Sequence, residues 1–303
     1  MIKKGFLLSF ATAGVSGISI FINALFVSKT DPLVFALTRN VAVVLLLTII
    51  LTSTNRLRRL KDLTLQEWGK LFAIGAIGGG IPFALFFTGL SQIGALNSNV
   101  IQKTLFLWVA VLALPILKER LTKIQLLGYG TLFIGMFLAG GTFKVVPKAG
   151  TWLVLGATVL WAIENIIAKA TLKTVPASIV SWGRMIFGLP FLLAATAFMG
   201  KVPLLTHATT YAMMPLLVSS GLLVVYVLTW YTALAHAPAT LVSSVLVVAP
   251  VITAGVAFIA THKPITSTQA PSLILLAIGM MLVASSEIVW TRKETSIPQT
   301  DAS

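Results

Sequence analysis

Four ionisable side chains interrupt long apolar runs of this 303-residue chain: Arg39, Lys103, Glu164 and Arg184. If these runs cross a bilayer, a charge at their centre costs at least about 2.5–3.5 kcal/mol on insertion scales. Each side chain should therefore face water, a charged partner or a bound substrate. A carboxylate such as Glu164 can bind an amine or exchange a proton, and an ammonium such as Lys103 can bind a carboxylate.

Glu164 and Arg184 have two interpretations. Each lies ten residues from Thr174, and therefore about 15 Å along its helix from the turn between two apolar segments. Antiparallel helices would bring the two side chains to one level, where a buried ion pair could fix the register of the helices. Alternatively, Glu164 binds a substrate amine or a proton and Arg184 orients it. Both interpretations stay open. Arg39 and Arg184 are grouped as structural or gating residues.

Lys103 shares a helix face with two amides, because Asn99 precedes Gln102 and Lys103 by three and four residues. One interpretation is a water-filled vestibule that accepts an anionic group such as a carboxylate. The other is a lysine whose long stem reaches the membrane interface. All three residues are candidates for substrate binding.

A stripe of polar side chains follows the first apolar segment at helical spacing: Ser9, Thr12, Ser16, Ser19 and Asn23. Small polar residues can form a packing seam between helices in lipid. They can equally form the wall of a polar cavity. Ser19 and Asn23 are therefore candidates for substrate binding.

Several aromatic residues could pack against the apolar part of a substrate. These candidates are Trp161, which lies one helical turn before Glu164, together with Phe83, Tyr226 and Trp230. Tyr231, in contrast, is expected in the belt of aromatic residues at a membrane interface.

The third apolar run contains the segment Gly78–Pro82, with three consecutive glycines. Glycine and proline interruptions mark bent or unwound segments in transporters, although membrane helices also tolerate them as simple kinks. Three glycines permit another helix to approach closely. Gly79 and Pro82 are therefore predicted to be structural or gating residues.

The composition places these residues in a membrane protein, because 57% of residues are hydrophobic and only 10% are charged, against about 25% charged in soluble domains. Runs of about twenty apolar residues are long enough to cross a bilayer. We predict an all-α polytopic protein with ten transmembrane helices, at about 5–27, 33–53, 70–90, 96–117, 124–141, 150–171, 178–199, 211–231, 239–260 and 269–290.

The basic residues predict the orientation. With the N-terminus inside, ten basic residues of the first half fall in cytoplasmic segments. Its outer segments hold only Lys29, with Lys144 and Lys148 in the connection between the halves, and this asymmetry satisfies the positive-inside rule. Ten spans then place both termini in the cytoplasm of a multi-pass cell-membrane protein, with residues 292–303 as a disordered cytoplasmic tail. Lys169 lies close enough to the cytoplasmic end of its span to snorkel, and we assign it no role in a site.

The two halves of the chain resemble each other at a nearly constant offset. Four matches occur at offsets of 144 or 145 residues: Phe87–Leu90 with Tyr231–Leu234, Gly135–Met136 with Gly279–Met280, Arg39 with Arg184, and Gly5 with Gly150. These matches predict two five-helix repeats, residues 1–145 and 146–291. Since each repeat has an odd number of spans, the repeats must be inverted, an arrangement typical of secondary transporters.

Segments in each half also resemble a known family. Leu117–Leu121 (LKERL), followed by Gly128 and Gly135, is similar to the G-E-R-L … G … G ending of each half in the EamA family of the drug/metabolite transporter superfamily. The second half keeps the proline of the family's penultimate span, Pro250, but has Lys263 where the family has an acid. The resemblance implies a five-plus-five helical transporter of small metabolites, and makes Pro250 a structural or gating candidate.

Other functions are disfavoured by what the sequence lacks. It has no cysteine, and its three histidines are far apart, so we predict no metal site and no cofactor. The net charge of +14 is explained by cytoplasmic anchoring, so we predict no binding to nucleic acid. No H-E-x-x-H motif, pair of aspartates or Ser/His constellation is present, so an intramembrane enzyme acting on lipid is disfavoured.

The sequence therefore predicts a secondary transporter that exports small metabolites, with amino acids or related compounds favoured as substrates. Its partners would be that substrate, the lipid bilayer and protons. The alternative is a multidrug exporter of lipophilic cations, in which Glu164 binds the cation. Substrate identity, direction, proton coupling and oligomeric state stay open.

Overall fold

The computed structural model describes residues 2–27, 31–139, 148–205, 213–262 and 269–295. These residues are helical, with no strand among them. The α-helices are α1 (Ile2–Val27), α2 (Pro32–Ser53), α3 (Leu65–Ile74), α4 (Ile81–Lys103), α5 (Leu105–Ile116), α6 (Lys123–Ala139), α7 (Ala149–Thr171), α8 (Ala177–Phe198), α9 (Met213–His236), α10 (Ala239–Val245), α11 (Ala249–Thr261) and α12 (Ala270–Thr295). Short 3₁₀ turns occur at Arg56–Asp62, Val202–Leu204 and Leu246–Val248.

Local sequence signals explain several helix starts. At α2, the Asp31 side chain accepts hydrogen bonds from the backbone N–H groups of Leu33 and Val34, with Pro32 in the first turn, as expected of an N-cap. At α3, Thr64 and Glu67 form a reciprocal capping box. These caps orient the first helices without using the apolar faces that pack elsewhere.

Seven helical segments are long and apolar enough to cross a membrane: Lys3–Ile22, Pro32–Ser53, Leu65–Ile93, Ala149–Thr171, Ala177–Phe198, Met214–His236 and Ala239–Thr261. Three shorter apolar helices, Val100–Ile116, Lys123–Leu138 and Ala270–Ser285, accompany them. Large apolar side chains point outward, including Ile49, which is 63% exposed. Such residues would contact lipid, so the chain is a multi-pass membrane protein.

Some predicted boundaries are wrong. The gap predicted between the third and fourth spans, 91–95, is helical, and the helix ends instead at Lys103, with only Thr104 between it and α5. The predicted disordered tail begins too early, because α12 continues to Thr295; residues 296–303 lie outside the described residues. The predicted eighth span stops at 231, whereas α9 continues to His236.

Helices from both halves pack against each other through glycine. α4 packs along α7, and α6 packs along α12. At the first of these contacts, a Cβ added to Gly89 would lie 2.6 Å from the Gly150 carbonyl oxygen, and one added to Gly150 would lie 2.9 Å from the Gly89 carbonyl oxygen. Only glycine allows the two backbones to come this close, which is a common device for helix packing in membranes.

The third apolar run is distorted at its glycines, as the sequence indicated. Residues Gly75–Gly80 form a π-helical turn between α3 and α4, and Pro82 lies in the first turn of α4. A Cβ on Gly79 would lie 2.1 Å from the Arg184 carbonyl oxygen. The turn therefore packs directly on the backbone of α8 and brings the Arg184 side chain close to α7.

Candidate functional site

A cavity of about 230 Å³ lies where α1, α2, α4, α7, α8 and α9 meet the 3₁₀ turn Leu246–Val248. Eight of the ten candidate substrate-binding residues line it: Ser19, Phe83, Gln102, Lys103, Trp161, Glu164, Tyr226 and Trp230. The side chains of the other two, Asn23 and Asn99, lie outside the described part of the chain. Arg39 and Arg184, which we had grouped as structural or gating residues, also line this cavity.

Glu164 is the cavity's only acidic residue among those described, and its side chain is held by α9. It is 1% exposed and accepts a hydrogen bond from the hydroxyl of Tyr231. Tyr231 is itself fully buried, so its predicted place in an interfacial belt is wrong. Because α9 continues past Tyr231 to His236, this tyrosine lies inside the protein rather than at the end of its span.

Arg184 is positioned by the glycine turn rather than by an ion pair. Its Nη2 donates to the Gly78 carbonyl oxygen over 3.2 Å, and its Cζ lies 6.0 Å from the centroid of the Tyr231 ring. Among the described residues, the one ion pair within 4 Å joins Lys201 to Asp31. Glu164 and Arg184 therefore form no ion pair within 4 Å, although both side chains lie beside Gly78, at one level as the ion-pair interpretation requires.

Gly78 explains how both charged side chains fit beside the turn. A Cβ at this position would lie 2.5 Å from the Glu164 Cγ and 3.2 Å from the Arg184 Nε. The Gly78 carbonyl oxygen also accepts a hydrogen bond from the Trp161 Nε1 over 3.0 Å. The glycine turn is thus a shared support for three side chains of the cavity. Gly79 and Pro82 lie in or next to this turn and do not line the cavity.

Arg39 makes few contacts with its guanidinium group. Its Cζ lies 5.8 Å from the centroid of the Phe35 ring, and its Nε is buried without a hydrogen-bond partner. Arg184 has the same buried, unpartnered Nε. The two arginines therefore retain hydrogen-bonding capacity that the described residues do not use.

The aromatic side chains form two walls of the cavity. Trp161 packs edge-on against Phe83, with ring centroids 5.5 Å apart. Tyr226 and Trp230 stack with their centroids 6.1 Å apart and their planes within 7°. These walls could pack against an apolar group of a substrate or against its cationic group.

Two interruptions of helices border the cavity. Lys103 is the last residue of α4, and Thr104 separates it from α5. In the other half, the 3₁₀ turn Leu246–Val248 separates α10 from α11, and Pro250 follows in the first turn of α11. Thr104 and Val248 are 144 residues apart, which is the offset of the internal matches.

The sequence did not single out three further residues that line the cavity, Asn165, Ser219 and Ser243. Asn165 follows Glu164, and its Nδ2 donates to the Trp161 carbonyl oxygen, while its Oδ1 is buried without a partner. A polar residue next to a mid-span acid was the available signal. Ser219 and Ser243 also line the cavity, but small serines in apolar helices carry no comparable signal.

Outside the cavity, Lys169 does not snorkel to solvent as predicted. Its Nζ donates to the carbonyl oxygens of Leu234 and Ala237 over 2.6 and 2.7 Å, at the end of α9. Lys169 therefore caps a helix C-terminus, where a cation is stabilised by the helix dipole.

Comparison with known proteins places the chain in a family. Residues 3–141 and 148–285 match the sequence model of the EamA-like transporter family. The chain belongs to this family. The chain is also similar to the uncharacterized transporter YyaM of Bacillus subtilis (strain 168). The two are 27% identical over 210 residues, which cover 65% of this chain and 67% of that protein.

The fold also occurs in a protein of known crystal structure that shares only 13% sequence identity. The two chains align with a TM-score of 0.74, over 94% of this chain and 99% of the other. This likeness concerns the fold alone. As an EamA-like protein, the chain is a membrane transporter of the drug/metabolite superfamily.

Proposed function

We propose that this EamA-like transporter exports small metabolites across the cell membrane, with amino acids or related compounds as the favoured substrates. The observation that carries this proposal is one cavity of about 230 Å³ lined by Lys103 of the first half and Glu164 of the second. A small molecule with a carboxylate and an amine would complement these two side chains.

Each part of the cavity has a role in this proposal. Lys103 binds the carboxylate of the substrate, with Gln102 and Asn99 on the same helix face. Glu164 binds the amine or carries a proton, and Tyr231 holds its carboxylate in place through a hydrogen bond. The walls at Trp161 and Trp230 pack against the apolar part of the substrate.

The mechanism we propose is alternating access between two inverted five-helix repeats, residues 1–145 and 146–291. Ten spans with both termini in the cytoplasm belong to this proposal. Two features support it: one family model matches two separate parts of the chain, and the interruptions at Thr104 and Leu246–Val248 border the cavity from the two halves. Interrupted helices near the midplane are a common element of transporter substrate sites.

Uptake into proteoliposomes tests the roles of the two charged residues. Lys103→Ala and Glu164→Gln should each lower uptake of radiolabelled amino acids by about tenfold or more, because each removes a charge-assisted hydrogen bond to the substrate. Lys173→Ala and Asp62→Asn change exposed charges far from the cavity and serve as matched controls. Unchanged uptake in both cavity variants, at equal insertion, would remove these residues from the mechanism.

A multidrug exporter of lipophilic cations is the second candidate. The observation that favours it is the buried Glu164 beside the aromatic walls, since carboxylates and ring faces both attract cations. The lysine and two arginines of the same cavity oppose it. Transport of a cationic dye with no transport of zwitterions, and loss of dye transport in Glu164→Gln, would favour this candidate.

A further inference from the structure

We infer that the cavity selects substrates with a net negative charge, and that Arg39 and Arg184 bind the substrate rather than only shaping the fold. The preferred ligand is a small organic oxyanion with at least one more acidic group than basic groups. This inference rests on the proposed transport function and narrows its substrate class.

The charge of the cavity is positive in every protonation state of Lys103 and Glu164. Four lining residues are charged in their usual states: Arg39, Arg184, Lys103 and Glu164. Arginine stays protonated in proteins, so the two arginines contribute +2. Lys103 adds 0 or +1 and Glu164 adds 0 or −1, which gives a total between +1 and +3. A zwitterion leaves that charge uncompensated, whereas a net anion reduces it.

Among the described residues, Glu164 is the one acid that lines the cavity together with these three cations. Across the described part of the chain, no carboxylate oxygen lies within 4 Å of Arg39, Arg184 or Lys103. Glu164, the nearest acid in the cavity, accepts its hydrogen bond from Tyr231 instead. Buried charges are normally paired because desolvation is costly, and an ionisable side chain at membrane depth is by default a functional site.

The hydrogen bonds that remain available suit an oxyanion. The Nε atoms of Arg39 and Arg184 are buried and have no partner, although each is a donor in the planar fork of a guanidinium group. This fork matches the two oxygens of a carboxylate or a phosphate. The two groups share the same recognition chemistry, so the experiment must distinguish them.

The size of the cavity restricts the substrate further. A volume of about 230 Å³ is below the range of about 300–1,000 Å³ typical of pockets for drug-sized ligands. Dicarboxylates, acidic amino acids and small phosphate esters fit this limit.

The test compares substrates of nearly equal size and different charge in proteoliposomes of the full chain. The panel is aspartate and its neutral isostere asparagine, succinate as a dicarboxylate, glycerol 3-phosphate as a phosphate ester, and leucine as an apolar amino acid. We expect aspartate or succinate to be taken up at least about tenfold faster than asparagine, as one additional charge-assisted contact predicts. Preference for glycerol 3-phosphate would instead assign phosphate as the anionic group.

Variants of Arg39 then test whether this residue sets the preference. Arg39→Gln should reduce the aspartate-to-asparagine uptake ratio by about tenfold, and Arg39→Lys should restore part of it because the charge returns. A residue with only a structural role would lower both uptakes and leave their ratio unchanged. If Arg39→Gln fails to insert, two other measurements report the charge preference. One is the aspartate-to-asparagine uptake ratio of Arg39→Lys compared with that of wild type. The other is the thermal stabilisation of each protein by aspartate compared with that by asparagine.

The outcomes separate this inference from the proposed function. Uptake of leucine and asparagine at rates equal to or above those of the anions would overturn the charge preference and leave metabolite transport intact. No uptake of any compound in the panel, with no thermal stabilisation by any of them, would overturn both.

Discussion

Two regions of this transporter differ in whether the protein supplies hydrogen-bond partners for their charged groups. Where the loop after α5 meets the start of α10, Glu119 accepts hydrogen bonds from the backbone N–H groups of Ala239 and Thr240, over 2.7 and 3.0 Å, and from the Thr240 hydroxyl over 2.6 Å. Lys169 caps the preceding helix nearby. In this region, which we call the Glu119 junction, each of these two charges has hydrogen-bond partners supplied by the protein.

The cavity shows the opposite pattern. Arg39 and Arg184 have buried Nε atoms without partners, and no carboxylate lies within ion-pair distance of them among the described residues. The chain therefore supplies hydrogen-bond partners to its charged groups at the Glu119 junction, where Glu119 of the first half contacts Ala239 and Thr240 of the second. Among the described residues, the two guanidinium groups with an unpartnered Nε both line the cavity. This difference supports the inference that the cavity charges bind a ligand, whereas the Glu119 junction holds the fold.

The largest effect should come from filling the close contact between the glycine turn and the backbone of α8. A Cβ in Gly79→Ala would lie 2.1 Å from the Arg184 carbonyl oxygen, so α8 must move away. We expect a loss of about 3 kcal/mol or more, since even ordinary overpacking costs about 1–3 kcal/mol. Thermal unfolding in detergent measures it. Gly130→Ala is the matched control, because its Cβ would meet nothing within 4 Å; equal behaviour of the two variants would contradict the close contact.

Removing the acid of the Glu119 junction should have the next largest effect on stability. In Glu119→Ala, the N–H groups of Ala239 and Thr240 lose their hydrogen-bond acceptor. We expect a loss of about 2–4 kcal/mol, because hydrogen bonds to charged groups contribute about 1.5–3 kcal/mol each and are not additive. Asp62→Asn, an exposed acid, should shift the melting temperature little. If Glu119→Ala is as stable as wild type, the Glu119 junction does not stabilise the fold and the contrast with the cavity fails.

Arg39→Gln should separate stability from transport. Removing a buried charge without an ion-pair partner relieves its desolvation, and this relief offsets the loss of the cation–π contact with Phe35, which is worth about 2 kcal/mol for a desolvated pair. We therefore expect an unfolding free energy within about 1 kcal/mol of wild type, or above it, while the preference for anions falls. If this variant melts as low as Glu119→Ala, then Arg39 supports the fold and the two regions do not differ.

Several residues of the cavity could be predicted from the sequence, because ionisable side chains at membrane depth must face water, a charged partner or a substrate. Lys103, Glu164 and Trp161 were expected at one site, and all line the cavity, although substrate binding by them stays a prediction. The internal offset also relates Thr104 to Val248, where both halves are interrupted, but neither interruption was predicted from the sequence.

The sequence could not show which groups form hydrogen bonds with Glu164 and Arg184. Helical rise brought Glu164 and Arg184 to one level, but their actual partners, Tyr231 and the Gly78 carbonyl oxygen, come from two other helical segments. No spacing along α7 or α8 reveals them. The length of α9 was the second difficulty, since its apolar character weakens after Tyr231 while its backbone continues as a helix.

The smallest effect concerns an ordinary surface ion pair, which provides a reference for both regions. Asp31 Oδ2 and Lys201 Nζ are 2.7 Å apart, with side chains 20% and 32% exposed. Burial by itself would raise the pKa of Asp31, but the hydrogen bond from Lys201, with those from Val34 and Leu33, leaves this pKa below its ordinary value of 3.8. Stability from this pair is therefore complete above that ordinary value and is lost as the pH falls through the lower, folded-state pKa.

For this exposed pair we expect a contribution of at most about 1 kcal/mol. Melting curves of wild type and Asp31→Asn, recorded between pH 3 and pH 7, should differ at neutral pH and converge at the acidic end. High salt should reduce the difference, since it screens exposed charges. Asparagine can cap α2 as well as aspartate does, so a difference that persists at the lowest pH would contradict a role for the charge of Asp31. In either case the effect should remain smaller than that of Glu119→Ala, because water already solvates both charges of the surface pair.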